Sequence, residues 1–239
     1  MSISMNSQSA LHEVESRCTQ ERPPRCQSLC PLGLDARAFL GHAAEGRWSD
    51  ARKQLERYLP LPGLLARICD HPCEQGCLRG DLGGAVNLHG LEIFCTEHLG
   101  VQTRSLPMPR KQKRIAVIGA GLAGLVCAWD LAGKGYPVTV FHEGEPQAQL
   151  LSCWPVLAGA GAAALDAEWE ALGRRGVRFE QARTDAACLQ QAAGEYDGVL
   201  LDAGALPELA PAESGMEAQI LHWRDNICCA GWASVTPTG

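Results

Sequence analysis

The chain has 239 residues, 46% of them apolar and 20% charged, a composition ordinary for a soluble globular protein and a length that fits two small domains better than one large one. Up to residue 112 thirteen basic residues stand against twelve acidic ones, and beyond it eight stand against fifteen, so the formal charge of −6 leaves a nearly neutral front and an acidic back. Neither half is the basic surface that nucleic-acid binding requires.

The N-terminal MSISMNSQSALHEVESR is polar and carries neither an apolar h-region nor a small-residue cleavage site. The weakly polar stretch from Leu150 to Leu165 is broken by Pro155 and is too short to span a bilayer. The expectation is a cytoplasmic chain with no membrane insertion.

In chain order, the first feature is RCTQERPPRCQSLCP, which places Cys18, Glu21, Cys26 and Cys30 at the spacing C-x2-E-x4-C-x3-C-P. Asp35 then caps a helix predicted to reach about Glu45, with Ala36, Phe39, Leu40 and Ala43 on one face. Ser49 caps a second, with Ala51, Leu55 and Tyr58 inward, stopped by Pro60 and Pro62. The segment RICDHPCEQGC supplies Cys69, Cys73 and Cys77 at the spacing C-x3-C-x3-C. Asn87 caps a third helix to about Leu99, whose apolar residues Leu88, Leu91, Phe94 and Leu99 roughly follow a helical period. No sustained strand pattern precedes residue 112.

Residues 101–113, VQTRSLPMPRKQK, read as a linker between a helical domain (1–108) and a second domain (109–239). Beyond it the pattern alternates: a strand from Arg114 to Ile118, a helix from Leu122 to Lys134, a strand from Pro137 to Phe141, a helix from Leu165 to Arg175, and strands at Val177–Phe179 and Gly198–Leu201. Alternation of this kind predicts a parallel α/β sheet.

Twelve cysteines in a chain that is not short and shows no export signal point to reduced thiols that bind metal rather than to a disulfide scaffold. The two tight groups can converge on metal centres, and a proline after the last cysteine of a run recurs in ferredoxin-like ligand loops. Six thiolates with carboxylates suffice for two iron–sulfur clusters. Structural zinc is the alternative, since Zn²⁺ takes four cysteines or three with a histidine, and His71 lies inside the second group; zinc fingers, however, favour C-x2-C pairs. Cys95, Cys127, Cys153, Cys188, Cys228 and Cys229 have no ligand spacing and read as packing residues.

A four-ligand group ending in CP, two amphipathic helices, a P-x-P turn, R-I-C-x-x-P-C-E-x-x-C and then V-N-L-H-G-L-E-I-F resemble the N-terminal domain of the glutamate synthase small subunit, shared with dihydropyrimidine dehydrogenase and related iron–sulfur flavoproteins. The resemblance covers residues 17–100. It implies interleaved ligation: one [4Fe-4S] cluster on Cys18, Glu21, Cys26 and Cys77, the other on Cys30, Cys69, Cys73 and Glu92. Glu21 stands where the family has cysteine, which leaves three outcomes: ligation by the harder carboxylate, water on that iron, or a three-iron cluster. Without the resemblance, Glu92 reads as an exposed helix carboxylate.

RIAVIGAGLAGLVCAWDLAGKGYPVTVFHEGE sets Gly119, Gly121 and Gly124 between a strand and a helix, with Glu143 after the next strand. Bare GxGxxG is weak, but this full arrangement is the dinucleotide fingerprint. Gly119 permits the tight turn, Gly121 admits the diphosphate, Gly124 lets helix and strand pack closely, and Glu143 accepts from an adenosine ribose. The resemblance favours FAD over NAD(P) at this site, in a reduced Rossmann-like domain.

Three departures follow. The family's G-I-P turn is missing from PQAQLLSCWPVLAGAGAAAL; Asp202 in YDGVLLDAGA stands where a small residue is usual; and NICCAGWASVTPTG looks like the final FAD strand with Trp232 replacing an aspartate, with only about twenty residues before it where the family inserts its NADPH domain. No set of nucleophile, base and orienter is visible, so no catalytic residue is assigned. The leading expectation is an electron-transfer subunit that relays electrons between a flavin and two clusters to or from a larger redox enzyme subunit. The alternatives are an assembly or scaffold module that has lost flavin, and a self-sufficient NAD(P)H oxidoreductase.

Overall fold

The fold is that of a computed structural model, which describes residues 9, 13, 24–100, 108–160 and 162–202 and the strands at 220–223, 227–230 and 233–237. The chain divides into two compact units, Met1–Thr103 and Arg104–Gly239.

Every described element of the first unit is helical: α1 (Arg25–Leu29), α2 (Ala36–Ala44), α3 (Trp48–Tyr58), α4 (Pro62–Ile68), α5 (Pro72–Gln75), a 3-10 turn over Leu78–Leu82, and α6 (Leu88–His98). The two short polar caps form as expected. The Asp35 carboxylate accepts from the Ala38 N–H at 3.0 Å, and the Asn87 side-chain oxygen accepts from the Gly90 N–H at 2.8 Å, satisfying donors that a helix start leaves unpaired. Ser49, expected as a cap, instead lies within α3, which starts at Trp48 with Arg47 at its cap position and no side-chain cap bond. The Trp48 ring packs on Phe94 of α6 at 4.9 Å between centroids, so an aromatic contact fixes the first turn in place of a polar cap. The core gathers Leu34, Phe39, Ala51, Leu55, Leu59, Cys73, Leu88 and Cys95.

The face that α6 turns inward differs from the apolar stripe read in its sequence. Its buried residues are Leu88, Glu92 and Cys95, at i, i+4 and i+7, whereas Phe94 is 37% exposed and stacks on His98. Glu92 is therefore a core carboxylate, 5% exposed.

The second unit runs β1 (Ile115–Ile118), α7 (Leu122–Gly133), β2 (Val138–His142), α8 (Pro146–Cys153), a 3-10 turn over Pro155–Ala160, α9 (Ala162–Arg174), β3 (Arg178–Gln181), α10 (Ala186–Glu195), β4 (Gly198–Asp202), β5 (Ile220–Trp223), β6 (Ile227–Ala230) and β7 (Ala233–Pro237). The main sheet has the order β3-β2-β1-β4-β7, with β1 to β4 parallel and β7 antiparallel to β4. Central β4 is buried along its whole length, as a parallel sheet covered on both faces requires. The NICCAGWASVTPTG segment forms two strands rather than one, β6 pairing antiparallel with β5 in a separate two-stranded sheet. Trp232 lies outside the described residues. Among the described residues, no helix is long and apolar enough to cross a membrane.

Candidate functional site

The first unit places six of its eight expected ligands; Cys18 and Glu21 lie outside the described residues. Cys26 is in α1 and Cys30 at its C-terminal cap, Cys69 caps the C-terminus of α4, Cys73 is in α5, and Cys77 leads into the 3-10 turn. Helix α1 packs on α5, which brings the two cysteine groups together. The approach is close enough that a Cβ on Gly76 would collide with Leu29 Cδ1.

Cys30, Cys69, Cys73 and Glu92 share one electrostatic environment. Burial raises the Cys69 thiol above its ordinary range against a stabilising bond from the His71 N–H to its Sγ at 3.4 Å, and the Glu92 and Cys30 charges raise it further. Burial, then Glu92, Cys69 and Cys30, pushes the Cys73 thiol up to about 12. Burial, then the Glu74 carboxylate, pushes Glu92 up to about 7. These groups repel one another when ionised and have no cation partner among the described residues. A cationic centre would reverse that balance, since metal binding stabilises deprotonated ligands. Three soft thiols and a carboxylate within electrostatic reach of one another, spread more widely than a single ion needs, are a donor set that fits iron–sulfur ligation.

Tetrahedral zinc fits less well. With Zn–S bonds of about 2.3 Å its sulfur ligands stand roughly 4 Å apart, and among the described residues no three His, Cys, Asp or Glu side chains converge on one ion. His71, the histidine available to such a site, is engaged elsewhere: its Nε2 lies 2.6 Å from His89 Nδ1. The Glu74 carboxylate accepts the His89 N–H at 2.6 Å. This His71–His89–Glu74 set ties the Cys69–Cys77 segment to the start of the helix that carries Glu92; the sequence singled out His71 alone, because His89 and Glu74 belong to no ligand spacing.

In the second unit, Gly119 follows β1 with φ +103°, Gly121 is the N-cap of α7 in an extended conformation, and Gly124 lies in its first turn. Gly121 offers no side chain to cap the helix, so N–H groups of that end are left to other acceptors, the arrangement that receives a diphosphate. A Cβ on Gly124 would stand 2.6 Å from the Gly119 carbonyl oxygen, which is why glycine is needed there. Parallel pairing of Ile118 with Phe141 brings Glu143, exposed just after β2, to the same end of the sheet. The loop thus fits a dinucleotide, with one addition: Asp202, 1% exposed at the end of β4, accepts the Gly124 N–H on Oδ2 at 2.9 Å.

A cleft of about 620 Å³ lies at the opposite end of the sheet, where the strands begin, and takes in Arg110, Arg114, Arg174, Arg175 and Arg178 against a single acidic residue, Glu180. It is basic in the half of the chain that is otherwise acidic.

Residues 1–103 match the family model described as dihydropyrimidine dehydrogenase domain II, 4Fe-4S cluster, and residues 114–194 match that of glucose inhibited division protein A. The first 103 residues are thus similar to a 4Fe-4S cluster domain. Similar proteins include the NADPH-Fe(3+) oxidoreductase subunit beta of Geobacter sulfurreducens, 34% identical over 49% of this chain and 18% of its own length. The NADP(+)-dependent formate dehydrogenase subunit beta of Moorella thermoacetica is 32% identical over 49% of this chain and 20% of its own. The glutamate synthase [NADPH] small chain of Mycobacterium tuberculosis is 30% identical over 56% and 28%. The chain thus spans less than a third of the length of these relatives. The resemblance to iron–sulfur flavoproteins of the glutamate synthase small-chain type covers about half of the chain, and the cofactors that go with the two matched segments are 4Fe-4S clusters and FAD.

Proposed function

We propose that this chain is an electron-transfer subunit of a multi-subunit oxidoreductase, relaying electrons between a flavin and two [4Fe-4S] clusters to or from a larger redox subunit. The observation that carries the reading is the set of Cys30, Cys69, Cys73 and Glu92, three thiols and a carboxylate that act on one another electrostatically, half-buried at Cys30 and Cys69 and buried at Cys73 and Glu92, with no cation of their own among the described residues, in a chain that also holds a full glycine loop. In this reading those four residues hold one cluster, and Cys18, Glu21, Cys26 and Cys77 hold the other. The packing of α1 on α5 supports the second set, because it draws Cys26 toward the turn that bears Cys77.

Bound flavin exchanges an electron pair with one partner and single electrons with the clusters. The protein contributes placement. The His71 N–H donates to Cys69 Sγ and holds electron density on that ligand, and the His71–His89 contact fixes the turn around it. Gly119, Gly121 and Gly124 let α7 present its N-terminus to the diphosphate, and Glu143 accepts from the ribose. The arginine cleft at the far edge of the sheet suits an acidic surface on the partner subunit, where charge complementarity would steer docking without covering the glycine loop.

The test is anaerobic purification of the full chain, with iron and flavin analysis and electron paramagnetic resonance of the reduced protein. Two reduced-cluster signals together with oxidised-flavin absorption are expected. Iron-free protein that cannot be reconstituted would overturn the reading. Asp202 beside the Gly124 N–H favours a second one, a docking module that keeps its clusters without flavin, and a chain rich in iron that takes up no FAD would select it.

A further inference from the structure

We infer that Asp202 is an internal anion of the dinucleotide site, which neutralises the N-terminus of α7 and so weakens its hold on the diphosphate of FAD. The inference rests on the flavin reading above for its natural ligand.

Helix α7 has twelve residues and no side-chain cap at Gly121, so its first-turn N–H groups must find acceptors elsewhere, at the positive end of the helix dipole. Most helices meet that need with a Ser, Thr, Asp or Asn at the N-cap itself. Here the acceptor comes from the end of β4, and the absence of a Cβ at Gly124 gives it access: an added Cβ would stand 3.0 Å from Asp202 Oδ2. The carboxylate is 1% exposed, so little water screens it. A diphosphate seated on the same helix end meets a like charge in a poorly screened place and finds the helix dipole partly neutralised. The same contact satisfies the helix end when no ligand is present, so the site is formed before flavin arrives. Asp202 thus exchanges cofactor affinity for stability of the flavin-free unit, and FAD is held exchangeably.

The experiment uses the full chain as wild type, Asp202→Asn and Asp202→Ala. Asn keeps an acceptor for the Gly124 N–H and removes the charge, so it separates electrostatics from folding. Two readouts are taken: the FAD dissociation constant by fluorescence titration, and the thermal midpoint of flavin-free protein with and without inorganic pyrophosphate. The expected result is FAD binding at least tenfold tighter in Asp202→Asn, pyrophosphate stabilisation in that variant exceeding wild type, and a lower flavin-free midpoint in Asp202→Ala. FAD affinity unchanged within twofold, or weaker, in Asp202→Asn overturns the inference. If no form binds FAD, the flavin reading fails and pyrophosphate decides: greater stabilisation of Asp202→Asn supports the internal anion, and equal stabilisation sinks it.

Discussion

Replacing Gly124 by alanine tests the dinucleotide loop at its tightest point. The added methyl would meet the Gly119 carbonyl oxygen at 2.6 Å, Asp202 Oδ2 at 3.0 Å and Val117 Cγ1 at 3.1 Å. The nearest of these is backbone, and the Gly119 N–H is bonded to the Phe141 carbonyl at 2.9 Å, so the strand end is braced. Helix α7 must move instead. Overpacking of this kind costs about 1–3 kcal/mol. Alanine returns at most about 1 kcal/mol in helix propensity. The net loss of about 1–2 kcal/mol corresponds to a fall of roughly 2–8 °C in thermal midpoint for a chain of this size. Because the movement carries the first-turn N–H groups with it, FAD affinity should fall as well, by tenfold or more. Gly173→Ala in α9 is the control, since nothing lies within 4 Å of its Cβ position. It should leave the midpoint unchanged or slightly raised. Circular dichroism melts and FAD titration of both variants decide the matter: a Gly124→Ala protein as stable as Gly173→Ala, with undiminished affinity, would refute the close-approach argument.

Three further outcomes follow from the first unit. In α3, Arg52 Nε lies 2.7 Å from Glu56 Oε1 with both side chains 4% exposed, and Arg52 Nη1 is buried without a hydrogen-bond partner. Glu56→Gln should therefore cost about 3–5 kcal/mol by urea denaturation, and a paired Arg52→Met, Glu56→Leu replacement should recover most of it. Cys73→Ala should lower iron per chain, whereas Cys95→Ala should keep its iron and lose only about 1 kcal/mol of packing, because Cys95 sits in the core as a small hydrophobe. In protein stripped of iron by a chelator, Glu92 binds its proton more tightly folded (about 7) than unfolded (4.5). Its contribution is whole below about pH 4.5 and is lost as pH rises through about 7, on the order of 3 kcal/mol in all, and Glu92→Gln should flatten that slope in pH-dependent melts.

Local signals were legible where chemistry acts within one turn. Asp35 and Asn87 cap the helices their sequence announces, and the glycine loop sits between β1 and α7 as its spacing requires. Helix α10 carried the same kind of signal, since the Asp185 carboxylate accepts from the Ala187 and Cys188 N–H groups at 3.0 Å, but its Ala- and Gln-rich run offers no strong apolar stripe. The inward face of α6 was not legible. Leu91 and Phe94 are the more apolar choices, yet neighbouring helices take up Leu88, Glu92 and Cys95 while Trp48 and His98 cover Phe94 from the side. Burial of Glu92 follows from tertiary packing that no periodicity encodes. Asp202 was visible as a departure from a small residue, but its partner lies 78 positions earlier and is found only once β4 is laid beside β1.

The two cofactor sites stand in different relations to their folds. In the first unit the core itself contains Cys73, and Glu92 lies buried on the inward face of α6, so in the proposed reading removing iron leaves repelling, desolvated groups among short helices. Metal bound there would add to the stability of the helical unit, because it binds the folded arrangement of ligands. The second unit closes its own core around a parallel sheet, with Val117, Leu125, Val140 and Leu200 almost wholly buried, and meets the need of α7 with Asp202 rather than with ligand. Loss of iron should therefore lower the stability of the helical unit while leaving that of the sheet unchanged, and loss of FAD should leave both standing. Hydrogen exchange on chelator-treated and flavin-free protein distinguishes these cases, and equal loss of protection in the sheet on removing iron would contradict the separation.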